Sequence, residues 1–127
     1  MFKEMFICVI IVVLIFSLDI FTQNYTKKSA INIIEIFSTI KSNLVEEEKE
    51  NIDNNLNKLD EEWKDVHDKL AYYIEHDELE KVDASIVAMK SYIKTEDFSS
   101  AIEQLEVGKF ILEHIEEKYA FNIQNIF

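Results

Sequence analysis

The chain opens on a mostly apolar stretch and then changes to apolar positions spaced at helical intervals among charged ones. Met5 to Phe16 is apolar without interruption, and Ser17, Leu18, Asp19, Ile20 and Phe21 follow. Counted from Phe2 to Phe21, the segment makes about 30 Å of helix, enough to span a bilayer. Asp19 then falls near the outer interface, where an ionised group costs far less than at the bilayer centre. Cleavage of a leader needs small residues at the positions one and three before the cut. Ser17 has Ile15 two residues before it, and Ala30 has Lys28. A lipoprotein signal fails as well, because Cys8 precedes most of the apolar run. The pattern predicts an uncleaved N-terminal membrane anchor; a cleaved leader and a buried soluble helix are the alternatives.

Four further stripes carry a period of three and four. The first is Ala30, Ile33, Phe37, Ile40 and Leu44; the second runs Ile52, Leu56, Leu59, Trp63, Val66, Leu70 and Tyr73. The third is Leu79, Val82, Ile86, Met89 and Ile93, and the fourth Phe98, Ala101, Leu105, Gly108, Leu112, Ile115 and Tyr119. Each is a narrow apolar face with charged residues opposite, the pattern of helices packed antiparallel at shallow angles. The predicted fold is all-α: an N-terminal transmembrane helix followed by an antiparallel bundle of three to four helices. Residues 1–25 are expected as the anchor and 26–127 as the bundle.

The breaks between stripes use acids and hydroxyls. Asp77, with Glu80 three residues on, reads as a capping box for the third helix, and Thr95 or Asp97 as the cap of the last. The first break, Val45 to Asn51, reads either as a turn or as a polar stretch of one long helix, and the first bundle helix can run on from the anchor. Gly108 lies on an apolar stripe and predicts close helix approach, at a propensity cost of about 1 kcal/mol. Trp63 reads as core. The final Asn122-Ile123-Gln124-Asn125-Ile126-Phe127 either packs back on the bundle or presents a contact.

Composition removes several functions. The 127 residues carry a net charge of −12, and all 13 basic residues are Lys. From Thr22 onward, 23 acidic residues face 12 lysines, a balance that repels phosphate backbones and anionic headgroups. Nucleic-acid binding is disfavoured, and no Arg is present for bidentate phosphate recognition. Lysine in place of arginine, together with 19 Ile and 9 Asn, suggests an AT-rich genome. The one cysteine, Cys8, allows no intramolecular disulfide.

A di-iron bundle needs Glu-x-x-His pairs, but Lys64, Tyr73 and Ile111 stand three residues before His67, His76 and His114. There is no H-E-x-x-H and no cysteine cluster. Glu46-Glu47-Glu48 lacks the alternation and Gly of an EF-hand loop. A third–fourth helix hairpin turning at residues 95 and 96 sets His76 opposite Ile115, with His114 adjacent and Glu75 and Glu117 nearby. Two imidazoles among carboxylates are candidates for a divalent cation or a pH-sensitive latch; the simpler reading is histidines bridging helix ends on a wet acidic surface. No nucleophile elbow, phosphate cradle or catalytic residue is present, and no cofactor is expected.

Trp63, YIEHDELEKVD at 73–83 and the stretch from Tyr92 to Phe127 (YIKTEDFSSAIEQLEVGKF onward) together resemble the DUF4363 family, strongest from Trp63 to the C-terminus. Glu75 to Leu79 and Asn125-Ile126 match its pattern. The resemblance implies small proteins of spore-forming Firmicutes with an N-terminal membrane segment and a helical remainder, and it supplies no activity. The expected function is non-enzymatic protein contact by an extracytoplasmic bundle held in the cell membrane, its partner another membrane protein or a second copy. A cation- or ligand-binding envelope module using the His76/His114 cluster is the alternative. The flanking charges are nearly balanced, with Lys3 before the apolar run and Lys27 and Lys28 after it, so orientation rests on the usual arrangement of a short N-terminus inside.

Overall fold

A computed structural model describes the backbone of residues 1–126 and the side chains of residues 1–118. Four helices follow one another: α1, Phe2–Val45; α2, Lys49–Leu70; α3, His76–Lys94; and α4, Phe98–Ile126. The described residues contain no strand. The apolar segment and the first bundle helix are one 44-residue element, about 66 Å long at the usual rise. Nothing in the sequence interrupts it, since the chain has no Pro and its one Gly lies in α4.

The halves of α1 meet different surroundings. Its apolar N-terminal half stands exposed from Phe2 to Phe21. Burial begins at Thr26 and continues through Ser29, Ala30, Ile33, Ile36, Phe37, Ile40, Asn43 and Leu44. This half packs against α2 and α4, and α3 packs against α4. The core is the set of stripes read from the sequence: Ile52, Leu59, Trp63, Val66 and Leu70 from α2, Leu79, Val82, Ile86 and Met89 from α3, and Ala101, Leu105, Leu112 and Ile115 from α4. Leu56, Ile93 and Phe98 pack at its edge, half-buried. Burial of such side chains contributes about 1.5–3 kcal/mol each, which is what holds so acidic a chain together. Tyr73 leaves the second stripe, because α2 ends at Leu70 and Tyr73 lies in the following turn. Tyr119 and the C-terminal tail lie beyond the described side chains, although α4 itself runs to Ile126.

The distal turns are built without glycine. After α1, Glu47 takes φ 54°, Glu48 N–H donates to Asn43 O at 3.0 Å, and Glu47 N–H to Leu44 O at 3.3 Å. After α3, Glu96 takes φ 60°, Asp97 N–H donates to Tyr92 O at 2.9 Å, and Glu96 N–H to Ile93 O at 3.0 Å. Both are the six-to-one closure of a helix C-terminus, with glutamate in the left-handed position that glycine usually takes. The stretch from Val45 to Asn51 is therefore a turn. The two turns are tied by Lys49 Nζ to Glu96 Oε1 at 2.8 Å, a hydrogen bond that raises the ammonium pKa and lowers the carboxyl pKa. Asp97 caps α4, its Oδ1 accepting from Ser100 N–H at 3.2 Å, whereas the Thr95 hydroxyl donates back to Tyr92 O at 3.2 Å.

The capping box expected at Asp77 is not formed. Helix α3 starts two residues earlier, at His76, with Glu75 as its cap residue and no side-chain cap bond. Glu78 and Leu79 N–H both donate to Glu75 O, which places Asp77 inside the first turn, where its charge favours the helix N-terminus without capping it.

Gly108 lies where α4 crosses α1 and α3. A Cβ there would stand 2.4 Å from Ser85 Oγ and 3.3 Å from Phe37 Cζ. Ser85 is buried and bonded to Val82 O at 2.8 Å, so the contact does not clear without breaking that bond. Unfolding in detergent tests both glycine arguments. Gly108→Ala is expected to lose about 1–2 kcal/mol despite its better helix propensity, and adding Ser85→Ala to recover part of it. Glu47→Gly is expected to gain up to about 1 kcal/mol, because a left-handed non-glycine residue costs more than the added chain entropy of Gly. A stabilising Gly108→Ala or a clearly destabilising Glu47→Gly contradicts the packing and turn assignments.

Candidate functional site

Three regions hold groups that the aliphatic core does not account for. The first is the exposed half of α1. Its apolar window has a mean hydropathy of 2.8 and no buried residue, so it is long and apolar enough to cross a membrane.

The second lies where this segment enters the bundle. Thr26 is buried; its hydroxyl donates to Thr22 O at 2.6 Å and shares a 2.7 Å hydrogen bond with the Tyr73 hydroxyl. The Tyr73 hydroxyl also reaches Thr22 O at 3.4 Å. Tyr25 packs against the core, and the Lys69 ammonium sits 5.7 Å from its ring centroid while pairing with Asp65 at 3.3 Å. The hydrogen bond to Asp65 raises the Lys69 pKa, with the Tyr25 phenol adding to it. The α2–α3 turn is thereby fastened to α1 at the last turn before the apolar segment.

The third is the seam between α2 and α3. Trp63 is core as expected, only 6% exposed, and its indole N–H donates to Asp83 Oδ1 at 2.6 Å. The other carboxylate oxygen of Asp83 lies 3.2 Å from His67 Nε2, and the His67 ring meets Trp63 edge-on at 5.7 Å. One carboxylate therefore serves an indole and an imidazole from the neighbouring helix. Lys90 of α3 pairs with Asp60 of α2 further along. Above these bridges the two helices part into an open groove of about 780 Å³, lined by Leu56, Asp60, Val87, Lys90 and Ile93 among others. The sequence marked Trp63 alone; Asp83 and His67 look like ordinary polar positions, and only their placement across a seam reveals the triad.

The histidine candidates sit at the end of the bundle where α3 begins. His76 is exposed and lies 2.9 Å from Glu80, one turn along its own helix. His114 of α4 lies 3.9 Å from Glu78. Glu75 pairs instead with Lys118 at 3.6 Å, and Lys118 also reaches Glu78 at 3.4 Å. Glu117 is exposed. The hairpin register brings His76 and His114 to one level, yet each faces its own carboxylate. Among the described residues, no three or more His, Cys, Asp or Glu side chains are placed to share one ion.

These features define a helical bundle carrying a membrane-length apolar helix at its N-terminus. The sequence profile of a domain of unknown function, DUF4363, matches residues 20–126, and the chain belongs to that family. No curated protein and no solved structure matches it.

Asp83 is the side chain to test. Asp83→Ala leaves a buried indole N–H without an acceptor and is expected to cost about 1–3 kcal/mol, whereas Asp83→Asn retains a carbonyl for it and costs less. Fluorescence of the single tryptophan during urea unfolding reads both. Equal losses for the two variants would show that the indole bond contributes nothing.

Proposed function

We propose that the protein is a non-enzymatic cell-envelope component: a single-pass anchor at residues 1–25 holding an extracytoplasmic helical bundle at 26–127, which acts by contact with another membrane protein or a second copy. The observation that carries this reading is the fully exposed apolar half of α1, continuous with a folded bundle. An exposed surface of that size is unfavourable in water and favourable in lipid. Several of the bundle's polar groups are occupied in structural roles: Asp83 with Trp63 and His67, Lys90 with Asp60, Lys41 with Glu106 at 2.8 Å. The last of these is the chief reason that the Glu106 carboxyl pKa is lowered.

One observation favours the cation-binding reading. Glu78 Oε2 is buried without a hydrogen-bond partner, in a side chain whose other oxygen lies beside His114 and Lys118. Calorimetry of the detergent-solubilised chain with Zn²⁺, Mn²⁺ and Ca²⁺ tests it, and the contact reading expects no binding tighter than millimolar.

The topology is tested by expressing the full chain with a C-terminal tag in a Gram-positive host. The expected result is full-length mass in the membrane fraction, a protease-accessible tag on intact protoplasts, and recovery of a second polypeptide or a dimer on gentle solubilisation. A truncated soluble form contradicts the anchor, a protected tag the orientation, and recovery of monomer alone the contact function.

A further inference from the structure

Several features converge on one end of the bundle. The apolar segment of α1 ends at Phe21, and Thr22 is the next residue. Because the Tyr73 hydroxyl bonds Thr26 and reaches Thr22 O, the α2–α3 turn is level with the turn of α1 that directly follows that segment. In this turn Tyr72 is 88% exposed.

Helix α4 arrives at the same level. Lys118 pairs with Glu75 and Glu78 at the start of α3, and α4 then continues to Ile126, about 12 Å further in the direction of the anchor. From Tyr119 to the end the sequence holds no charged residue, in a chain that is 30% charged overall. Loss of charge thus coincides with the point at which α4 passes the end of the bundle.

We infer that this end of the bundle is a lipid-contact surface, with Tyr72 and the uncharged end of α4 seated in the headgroup region beside α1. The inference rests on the anchor reading above. If Phe2 to Phe21 spans the bilayer, the level of Thr22 is the lipid–water boundary, and whatever projects there meets headgroups first. Tyrosine is favoured at that depth because its ring is amphipathic, and a helix end without charged side chains enters it without stripping water from a lysine or carboxylate head. A second copy or a partner protein would have to wedge between bundle and membrane to reach the same residues. The acidic charge of the bundle disfavours attraction to anionic lipid, so the contact depends on the aromatic ring and the uncharged helix end and forms on neutral lipid. The bundle is then held at several points on the membrane and its distal turns are directed away from it.

The full chain is reconstituted in phosphatidylcholine vesicles and labelled with an environment-sensitive fluorophore at single cysteines. Cys8 serves in the native chain; Tyr72→Cys, Asn122→Cys and Val87→Cys are made in a Cys8→Ser background. Val87, 67% exposed and about 16 Å up α3 from His76, is the water-facing reference. Nitroxide lipids labelled near the headgroup are expected to quench the Tyr72 and Asn122 labels severalfold more than the Val87 label, with a blue-shifted emission. Deeply labelled lipids are expected to quench Cys8. If Cys8 is quenched while the Tyr72 and Asn122 labels behave like Val87, the lipid-contact surface is overturned and the anchor stands. If Cys8 is not quenched, the anchor fails and the surface fails with it.

Discussion

Everything in this molecule depends on the continuity of α1. A helix of 44 residues without Gly or Pro carries an exposed apolar segment at one end and a quarter of a folded core at the other. A flexible linker would leave the orientation of the bundle undetermined. An unbroken helix instead transmits it, because each backbone N–H is bonded within the helix and bending it sharply requires one of a few specific defects. The polar contacts at the junction reinforce this. Thr26 bonds back onto Thr22 O, and Tyr73 closes over the same carbonyl from the α2–α3 turn. The bundle grips the helix within a turn of the point where apolar character ends.

The bundle is also asymmetric in how its helices meet. Helix α4 lies close to both α1 and α3, and the close approach is made possible by Gly108 against Ser85 and Phe37. Helices α2 and α3 stand further apart and are bridged by side chains, with Trp63 and His67 sharing Asp83, and Lys90 reaching Asp60. Aliphatic packing supplies most of the stability, while the bridges fix register across the one seam that packing leaves open. A half-buried carboxylate with two partners fits that role, since its hydrogen bonds are directional where apolar contacts are not.

Much of this was legible because helical burial repeats every three to four residues. The stripe from Ile52 to Leu70 predicted the buried face of α2, and the equivalent stripes predicted α3 and α4 as far as the side chains are described. The α1–α2 break was ambiguous because Glu47 occupies a left-handed position that sequence reading expects glycine to mark. Asp77 and Glu80 imitate a capping box, yet tertiary placement of the preceding turn starts the helix two residues sooner. The Trp63–Asp83–His67 triad and the Thr26–Tyr73 bond join residues far apart in sequence, and each polar member looks like part of a solvated face. Hairpin register puts His76 and His114 at the same end of the bundle. Which carboxylate each one meets depends on rotation about the helix axis, which register does not specify.

The apolar segment and the first bundle helix form one unbroken helix. Hydrogen exchange of the full chain in lipid vesicles, resolved across Asp19 to Ala30, tests it most directly. Unbroken protection through Phe21, Thr22 and Tyr25, comparable to that at Ile33 and Phe37, is the predicted result. Fast exchange confined to the residues between Phe21 and Thr26, flanked by protected segments, would show a hinge and contradict the account.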